Sequence, residues 1–134
     1  MSFQLQNVVV HRMVEAAAEE TPKNTAVSFL DHSLTYQDLN AKANQLARYL
    51  IQKGLQKGEK VGICTERSLE QVISLLAILK AGAGYLPLDL SYPVDRLNYM
   101  LKDSGATILL TQSHLLTKLQ TAKVFSISLD SDTS

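Results

Sequence analysis

The chain has 134 residues, the length of one ordinary domain, and is 46% hydrophobic and 19% charged. This balance is typical of a protein with a hydrophobic core and argues against an intrinsically disordered chain. Thirteen basic and thirteen acidic residues give a net charge of zero, so neither nucleic acid nor an anionic membrane surface is an expected partner.

The first third of the chain predicts a helix, a strand and the start of a second helix. Apolar residues at helical spacing predict the first helix from about Val10 to Glu20. Ala26–Leu30 has the pattern of a short strand, and a turn is expected at residues 31–33. Thr35 and Asp38, three residues apart, form a capping-box pattern that predicts a helix beginning beside Thr35.

The middle of the chain predicts a strand followed by a strongly apolar helix. Gly54 supplies the left-handed residue that commonly ends a helix, and Lys60–Cys64 is then a short strand. Ser68, followed three residues later by Gln71, predicts the cap of a third helix that runs to about Ala81. Because this helix is apolar around most of its circumference, we expect it to be buried on more than one side.

The last third continues the alternation of strands and helices. Tyr85–Leu88 is expected to be extended, Pro93 to be the first residue of a fourth helix, and Gly105 to end that helix. The remaining elements are a strand at Thr107–Leu110, a short helix at His114–Leu119 and a strand at Val124–Ile127. Such alternation predicts an α/β fold, a mostly parallel sheet flanked by helices.

The sequence carries no targeting or membrane segment. Met1–Val10 lacks the basic flank and the long apolar core of a signal peptide. The longest apolar stretch, Val72–Ala83, contains Ser74 and Lys80 and is shorter than the ~20 residues that span a bilayer. Cys64 is the single cysteine, which excludes a disulfide within the chain. We therefore expect a cytoplasmic protein that makes no use of a membrane.

None of the common nucleotide-binding, metal-binding or nucleophile patterns is complete. Gly82-Ala83-Gly84 supplies only G-x-G and follows a helix, whereas the dinucleotide fingerprint follows a strand. The segment 54–60 lacks the hydroxyl residue of a phosphate-binding loop. Cys64 ends an apolar strand and is expected to be buried and inert. The histidines have no ligand-like spacing: His11, His32 and His114. No catalytic, cofactor-binding or metal-binding residue is assigned.

Two polar groups have alternative interpretations. Glu66-Arg67-Ser68 follows a predicted strand, where parallel sheets often bind ligands, but a helix cap explains these residues equally well. Asp89, Asp95 and Arg96 are candidates for an ion-pair cluster around Pro93; the alternative is that Ser91, or the backbone beside Tyr92, simply caps the helix that begins there.

Two segments, in this order, resemble the first two core motifs of amino-acid adenylation domains in nonribosomal peptide synthetases. They are Leu34–Leu39 and Leu79–Asp89. Glu20-Thr21-Pro22, followed by Ala26-Val27, resembles the family's opening helix and first strand. The flanks of the second motif are resembled by Glu66-Arg67-Ser68, Ser91-Tyr92-Pro93 and Arg96-Leu97. Two positions depart from the family pattern, since Gly84 replaces the usual alanine and Leu90 stands where proline often follows the aspartate.

The resemblance runs from about His11 to Asp132 and implies a fold. This is the opening portion of the large N-terminal subdomain of an adenylate-forming enzyme. The expected organisation is an N-terminal extension at 1–9, a partial adenylation domain at 10–129, truncated before the phosphate-binding loop, and a polar tail at 130–134.

The resemblance also implies a two-step reaction for the full-length enzyme. An amino acid reacts with ATP to give an aminoacyl-adenylate, and the aminoacyl group then passes to the phosphopantetheine thiol of a carrier protein. ATP and Mg²⁺ are the expected cofactors of that enzyme, with none bound by this chain alone, which is expected to be inactive. Its expected partners are the rest of the adenylation domain and the carrier protein. The alternatives are part of an acyl- or aryl-CoA ligase and a small, non-catalytic α/β interaction protein.

Overall fold

A computed structural model describes residues 3–66, 68–112, 115 and 124–129, and their side chains from residue 12 onward. Within these residues helices and strands alternate along most of the chain. The elements are α1 Phe3–Glu20, β1 Thr25–Phe29, β2 His32–Thr35, α2 Tyr36–Gln52, β3 Lys60–Cys64, α3 Leu69–Lys80, β4 Gly84–Pro87, α4 Val94–Ser104, β5 Ile108–Thr111 and β6 Phe125–Ser128.

The main sheet is parallel, in the order β4-β3-β5-β6. Its two central strands are short apolar runs, as expected for strands that are covered on both faces. Val61 of β3 is aligned with Tyr85 on one side and with Ile108 on the other. β1 and β2 form a separate antiparallel hairpin. The structure therefore confirms the predicted α/β fold with a parallel sheet flanked by helices.

Side chains of β3 alternate between two cores, because successive residues of a strand face opposite sides of the sheet. Val61 and Ile63 pack in the larger core with residues of α2 and α3, including Leu50 and Ile78. Cys64 lies in the smaller core on the opposite face, which is formed largely with α4.

Gly62 also faces α4, at a point where the helix comes very close to the sheet. A Cβ atom at this position would lie 2.9 Å from Leu101 Cδ2 and 3.2 Å from Leu109 Cδ1. Both distances are shorter than ordinary van der Waals contact between carbons. The absence of a side chain at Gly62 therefore allows α4 to pack at its observed distance.

The strongly apolar helix α3 is buried on more than one side, as its sequence predicts. Ile78 and Ala77 face the sheet and α2. Leu76, on another side of the helix, packs with Leu39 and Ala43 of α2, and α1 and the β1–β2 hairpin complete this third cluster. Elements of the chain itself thus cover most of the apolar surface of α3.

Local helix signals are confirmed where the sequence contains a complete pattern. Thr35 Oγ1 accepts the N–H of Asp38 at 3.1 Å, and Ser68 Oγ accepts the N–H of Gln71 at 3.3 Å. Gly54 and Gly105 follow α2 and α4 with φ of +103° and +74°, values that favour glycine.

Other local predictions are wrong. α1 begins at Phe3, earlier than the expected Val10. The turn occupies Leu30 and Asp31, and the next residues form β2, an unpredicted strand whose pairing with β1 outweighs its weak sequence pattern. Pro93 caps α4 with extended backbone (ψ 149°) instead of forming its first turn. The predictions for 114–119 and 130–134 lie outside the described residues, apart from Leu115, which is helical.

Candidate functional site

The strand order of the main sheet changes direction at the carboxyl ends of β3 and β5. α3 leads from β3 to β4 on one side, whereas β5 lies on the other side of β3 and continues to β6. Open parallel sheets bind ligands where the strand order changes direction in this way. Here hydrogen bonds join the two strand ends: Thr111 Oγ1 donates to the Cys64 carbonyl at 2.6 Å, and the Glu66 N–H donates to Gln112 Oε1 at 3.1 Å.

A groove of about 880 Å³ lies beside this point, at the carboxyl ends of β3 and β4; we call it the β3–β4 groove. Its lining is largely apolar and combines side chains from both cores. Ile63 of β3 and Leu75 of α3 contribute from one face of the sheet, and Leu88 and Met100 from the other. The groove therefore lies at the open edge of the sheet, where the two cores come close to solvent.

Thr65 is the most unusual residue of the β3–β4 groove. Its side chain is buried, with 8% of the residue exposed, and Oγ1 has no hydrogen-bond partner among the described residues. A buried hydroxyl without a partner costs about 1–3 kcal/mol. A polar group that entered the groove and reached Thr65 would remove this cost.

Acidic side chains lie at the mouth of the groove. Glu66 and Asp89 are exposed and belong to its lining, whereas the described lining contains no lysine or arginine. Asp89 Oδ1 accepts the N–H of Ser91 at 2.9 Å, and this bond lowers the pKa of the Asp89 carboxyl, which is therefore ionised at neutral pH.

The polar cluster considered around Pro93 does not form. The guanidinium of Arg96 lies over the Tyr92 ring, 4.1 Å from its centroid, in a cation–π arrangement. Among the described residues no ion pair joins Arg96 to Asp89 or Asp95. Asp89 instead shapes the turn before α4, where its carbonyl accepts the N–H of Tyr92 at 3.0 Å.

The glycine, cysteine and histidine residues considered as candidate site residues do not form a site in the described part of the chain. Gly82 lies in the turn between α3 and β4, and its carbonyl accepts the N–H of Gly58 at 2.9 Å. Cys64 is buried in the α4-side core, and burial raises the pKa of its thiol. His32 is exposed on β2, whereas the side chains of His11, Arg67 and His114 are not described. The described part contains no group of three metal-ligating side chains, and no helix in it is long and apolar enough to cross a bilayer.

Thr65 and the β3–β4 groove were not predicted from the sequence. The available signal was a hydroxyl residue directly after a buried strand and before a helix cap. That signal is weak, because only the packing of α3, β4 and α4 shows that the hydroxyl is buried without a partner.

Comparison with known protein families and curated proteins gives consistent matches. The family model described as AMP-binding enzyme matches residues 14–133. Gramicidin S synthase 2 of Brevibacillus brevis is 49% identical over 114 residues, which are 85% of this chain and 3% of that protein. Tyrocidine synthase 1 of Brevibacillus parabrevis is 49% identical over 107 residues, which are 80% of this chain and 10% of that protein. The chain thus spans a small part of the relatives that it matches.

Solved structures have the same fold. The nonribosomal peptide synthetase FmoA3 in its AMPPNP-bound form matches with a TM-score of 0.86 and 34% identity, over 92% of this chain and 14% of that one. The N-terminal subdomain of Klebsiella oxytoca NpsA, in complex with 3-hydroxybenzoyl-AMSN, matches with a TM-score of 0.82 and 27% identity, over 92% and 31%. The chain therefore belongs to the AMP-binding enzyme family, in which it corresponds to part of a nonribosomal peptide synthetase adenylation domain.

Proposed function

We propose that this chain supplies the opening part of the N-terminal subdomain of an amino-acid-activating enzyme. The whole enzyme joins an amino acid to the α-phosphate of ATP and releases pyrophosphate. It then passes the aminoacyl group to the phosphopantetheine thiol of a carrier protein and releases AMP. The observation that carries the proposal is the match of 92% of the chain to FmoA3 at 34% identity. An artificially fused adenylation–PCP di-domain of Klebsiella oxytoca, which matches with a TM-score of 0.83, supports the carrier protein as a partner.

The described lining of the β3–β4 groove does not supply the groups that the triphosphate of ATP needs. A triphosphate needs cations and backbone N–H groups around its oxygens. The β3–β4 groove instead has two carboxylates at its mouth, Glu66 and Asp89, and no lysine or arginine in its described lining. We infer that the nucleotide and the metal ion are bound by other parts of the enzyme, and that this chain provides a scaffold.

The domain organisation is part of the same proposal. Residues 10–129 form the partial adenylation domain, and the proposed extension at 1–9 continues into α1, which is helical from Phe3. A cytoplasmic location belongs to the proposal as well, and the presence of a single cysteine is compatible with it.

The relatives favour an amino-acid-activating enzyme over a ligase that transfers an acyl group to coenzyme A. Relatives at 45–50% identity include gramicidin S, linear gramicidin, bacitracin and tyrocidine synthases. An O-succinylbenzoate coenzyme A synthetase of Bacillus subtilis also matches, but at 24% identity it shows the fold alone.

A segment exchange tests the function. In a chimera, this chain replaces the corresponding segment of tyrocidine synthase 1. ATP–pyrophosphate exchange by the chimera and by the parent is then measured in the same assay, with each amino acid that the parent uses. We expect the chimera to keep the amino-acid preference of the parent and the isolated chain to show no exchange. A chimera that folds but gives no exchange above background contradicts the proposal. Exchange by the isolated chain would show that the scaffold role is wrong.

A further inference from the structure

We propose that α1 is a releasable strap, which opens as a unit while the rest of the chain stays folded, and that the ion pair of Lys80 with Glu15 is its latch. In the closed state α1 packs on α2 and α3. In the open state the Lys80 ammonium and the apolar surface beneath α1 face solvent. The inference concerns the chain itself and does not depend on the proposed function.

The described part of α1 buries little of its own surface. Its side chains are described from residue 12 to residue 20, and none of them is buried. Val14 is half-buried and packs with the third cluster, beside Leu39 of α2 and Leu76 of α3, whereas Met13 is 63% exposed. Because burial of apolar surface stabilises a contact by about 25 cal/mol per Å², this part of α1 gains little hydrophobic stabilisation when it is closed.

A buried ion pair lies beneath α1. Lys80 Nζ donates to Glu15 Oε2 of α1 and to Asn40 Oδ1 of α2, both at 2.7 Å, and only 5% of the Lys80 side chain is exposed. Desolvation of an ammonium costs several kcal/mol, and the attraction of one carboxylate offsets this cost only while the pair is intact and well placed. Loss of the carboxylate therefore favours release of α1, because release returns the ammonium to water.

The segment that follows α1 is fixed to α2 independently of α1. The N–H groups of Tyr36 and Gln37, in the first turn of α2, donate to the carbonyls of Asn24 and Pro22 at 2.9 and 3.1 Å. Pro22 lies just beyond the end of α1 and has no N–H with which to continue the helix. Thr21 is therefore the expected hinge, about which α1 moves while the following segment stays attached to α2.

The elements beneath α1 are held together without it. Leu39 and Ala43 of α2 pack with Leu76 of α3, and both helices also pack in the larger core against the main sheet. The β1–β2 hairpin covers the same third cluster through Val27 and Leu34. Opening of α1 therefore leaves the larger core closed and uncovers only part of the third cluster.

Amide hydrogen exchange of the full 134-residue chain, followed by mass spectrometry of peptides from α1, α2 and α3, tests the inference. We expect the amides of α1 to be protected at least about tenfold less than those of α2 and α3. Glu15→Ala is expected to lower the protection of α1 at least about tenfold further, because the buried ammonium loses its anion. Lys80→Met is expected to change it by less than about fivefold, because no charge is then buried at this position.

Two further variants separate a latch from an ordinary helix contact. Glu19→Ala makes the same substitution at an exposed position of α1 and is expected to leave the protection of α1 unchanged. The double variant Glu15→Ala/Lys80→Met is expected to regain the protection of Lys80→Met alone, because its effect acts through the buried ammonium.

Several results would overturn the inference. Equal protection of the three helices, or a joint loss of protection in all of them, would show that α1 does not open by itself. Unchanged protection of α1 in Glu15→Ala, or a double variant that exchanges as fast as Glu15→Ala, would show that Lys80 is not the latch. Protection of α1 that rises with chain concentration would assign its contacts to exchange between two copies.

Discussion

Lys80 at the end of α3 donates a 2.7 Å hydrogen bond to the carboxylate of Glu15 on α1, 65 positions earlier in the chain. Only 5% of the Lys80 side chain is exposed, compared with 46% of that of Glu15. The ammonium also donates to Asn40 Oδ1 of α2, again at 2.7 Å. One buried cation thus joins three helices.

This asymmetry of burial predicts unequal costs for the two partners. We expect Glu15→Ala to lower the free energy of unfolding by about 1–3 kcal/mol, because it leaves a buried ammonium with fewer partners. Lys80→Met is expected to cost less than about 1 kcal/mol, because the half-exposed Glu15 carboxylate is then solvated by water. Urea unfolding of both variants and of the double variant measures the difference. A larger cost for Lys80→Met than for Glu15→Ala would show that the burial argument is wrong.

Gly62 and Gly84 form a matched pair of glycines on neighbouring strands. Gly62→Ala is expected to destabilise the chain by about 1–3 kcal/mol, because the added Cβ would meet Leu101 and Leu109 at 2.9 and 3.2 Å. Gly84→Ala is expected to be neutral or to stabilise by up to about 1 kcal/mol, because no atom lies within 4 Å of its Cβ position. Thermal unfolding of the two variants, compared at equal concentration, checks this difference. Equal effects would contradict the close approach of α4.

The cap of α2 is expected to contribute measurably to stability. Thr35→Ala removes the acceptor of the Asp38 N–H and is expected to cost about 0.5–2 kcal/mol. Thr35→Ser keeps the hydroxyl and should retain most of that energy, whereas Ser33→Ala, on the exposed part of β2, serves as the control for a nearby substitution. Chemical denaturation followed by circular dichroism gives the three values. A Thr35→Ser variant as unstable as Thr35→Ala would exclude the hydroxyl as the cause.

Cys64 is expected to give the folded chain a pH dependence at alkaline pH. Burial raises its pKa above the ordinary value of 9.0, so the folded state keeps the proton that the unfolded state loses. The contribution of this thiol is therefore complete below pH 9.0 and is lost as pH rises through the pKa of the folded state. Unfolding free energies of the wild type and of Cys64→Ala, measured from pH 7 to 10, should converge above pH 9. A constant difference between the two proteins would contradict the raised pKa.

The same burial predicts a slow reaction of this thiol. Ellman's reagent should modify Cys64 only as fast as the chain opens, so addition of denaturant is expected to accelerate the reaction sharply. A rate in native buffer equal to the rate in denaturant would show that the smaller core is not closed over β3.

Features that depend on a few consecutive residues were predictable from the sequence. The caps at Thr35 and Ser68 and the helix end at Gly105 depend on hydrogen bonds and backbone angles within one turn. The strands β3 and β5 were predictable because short apolar runs between turn residues are typical of buried parallel strands. The alternation of these elements was sufficient for the fold class, and the two motif-like segments were sufficient for the family.

Features that depend on a distant partner were not predictable. β2 is a strand because β1 pairs with it, and α1 extends back to Phe3 beyond its clear apolar periodicity. Arg96 lies over the Tyr92 ring instead of pairing with Asp89 or Asp95, although all three alternatives are close in sequence.

The sequence by itself determined the local elements, their order and the family, because these follow from backbone preferences and from residue patterns along the chain. Only the tertiary structure decided which polar groups are buried and what they contact. Lys80 has an acidic partner 65 positions away, Gly62 lies against α4, and Thr65 has a buried hydroxyl without a described partner. The physical reason is that burial and hydrogen bonding depend on groups that the fold brings together from separate parts of the chain.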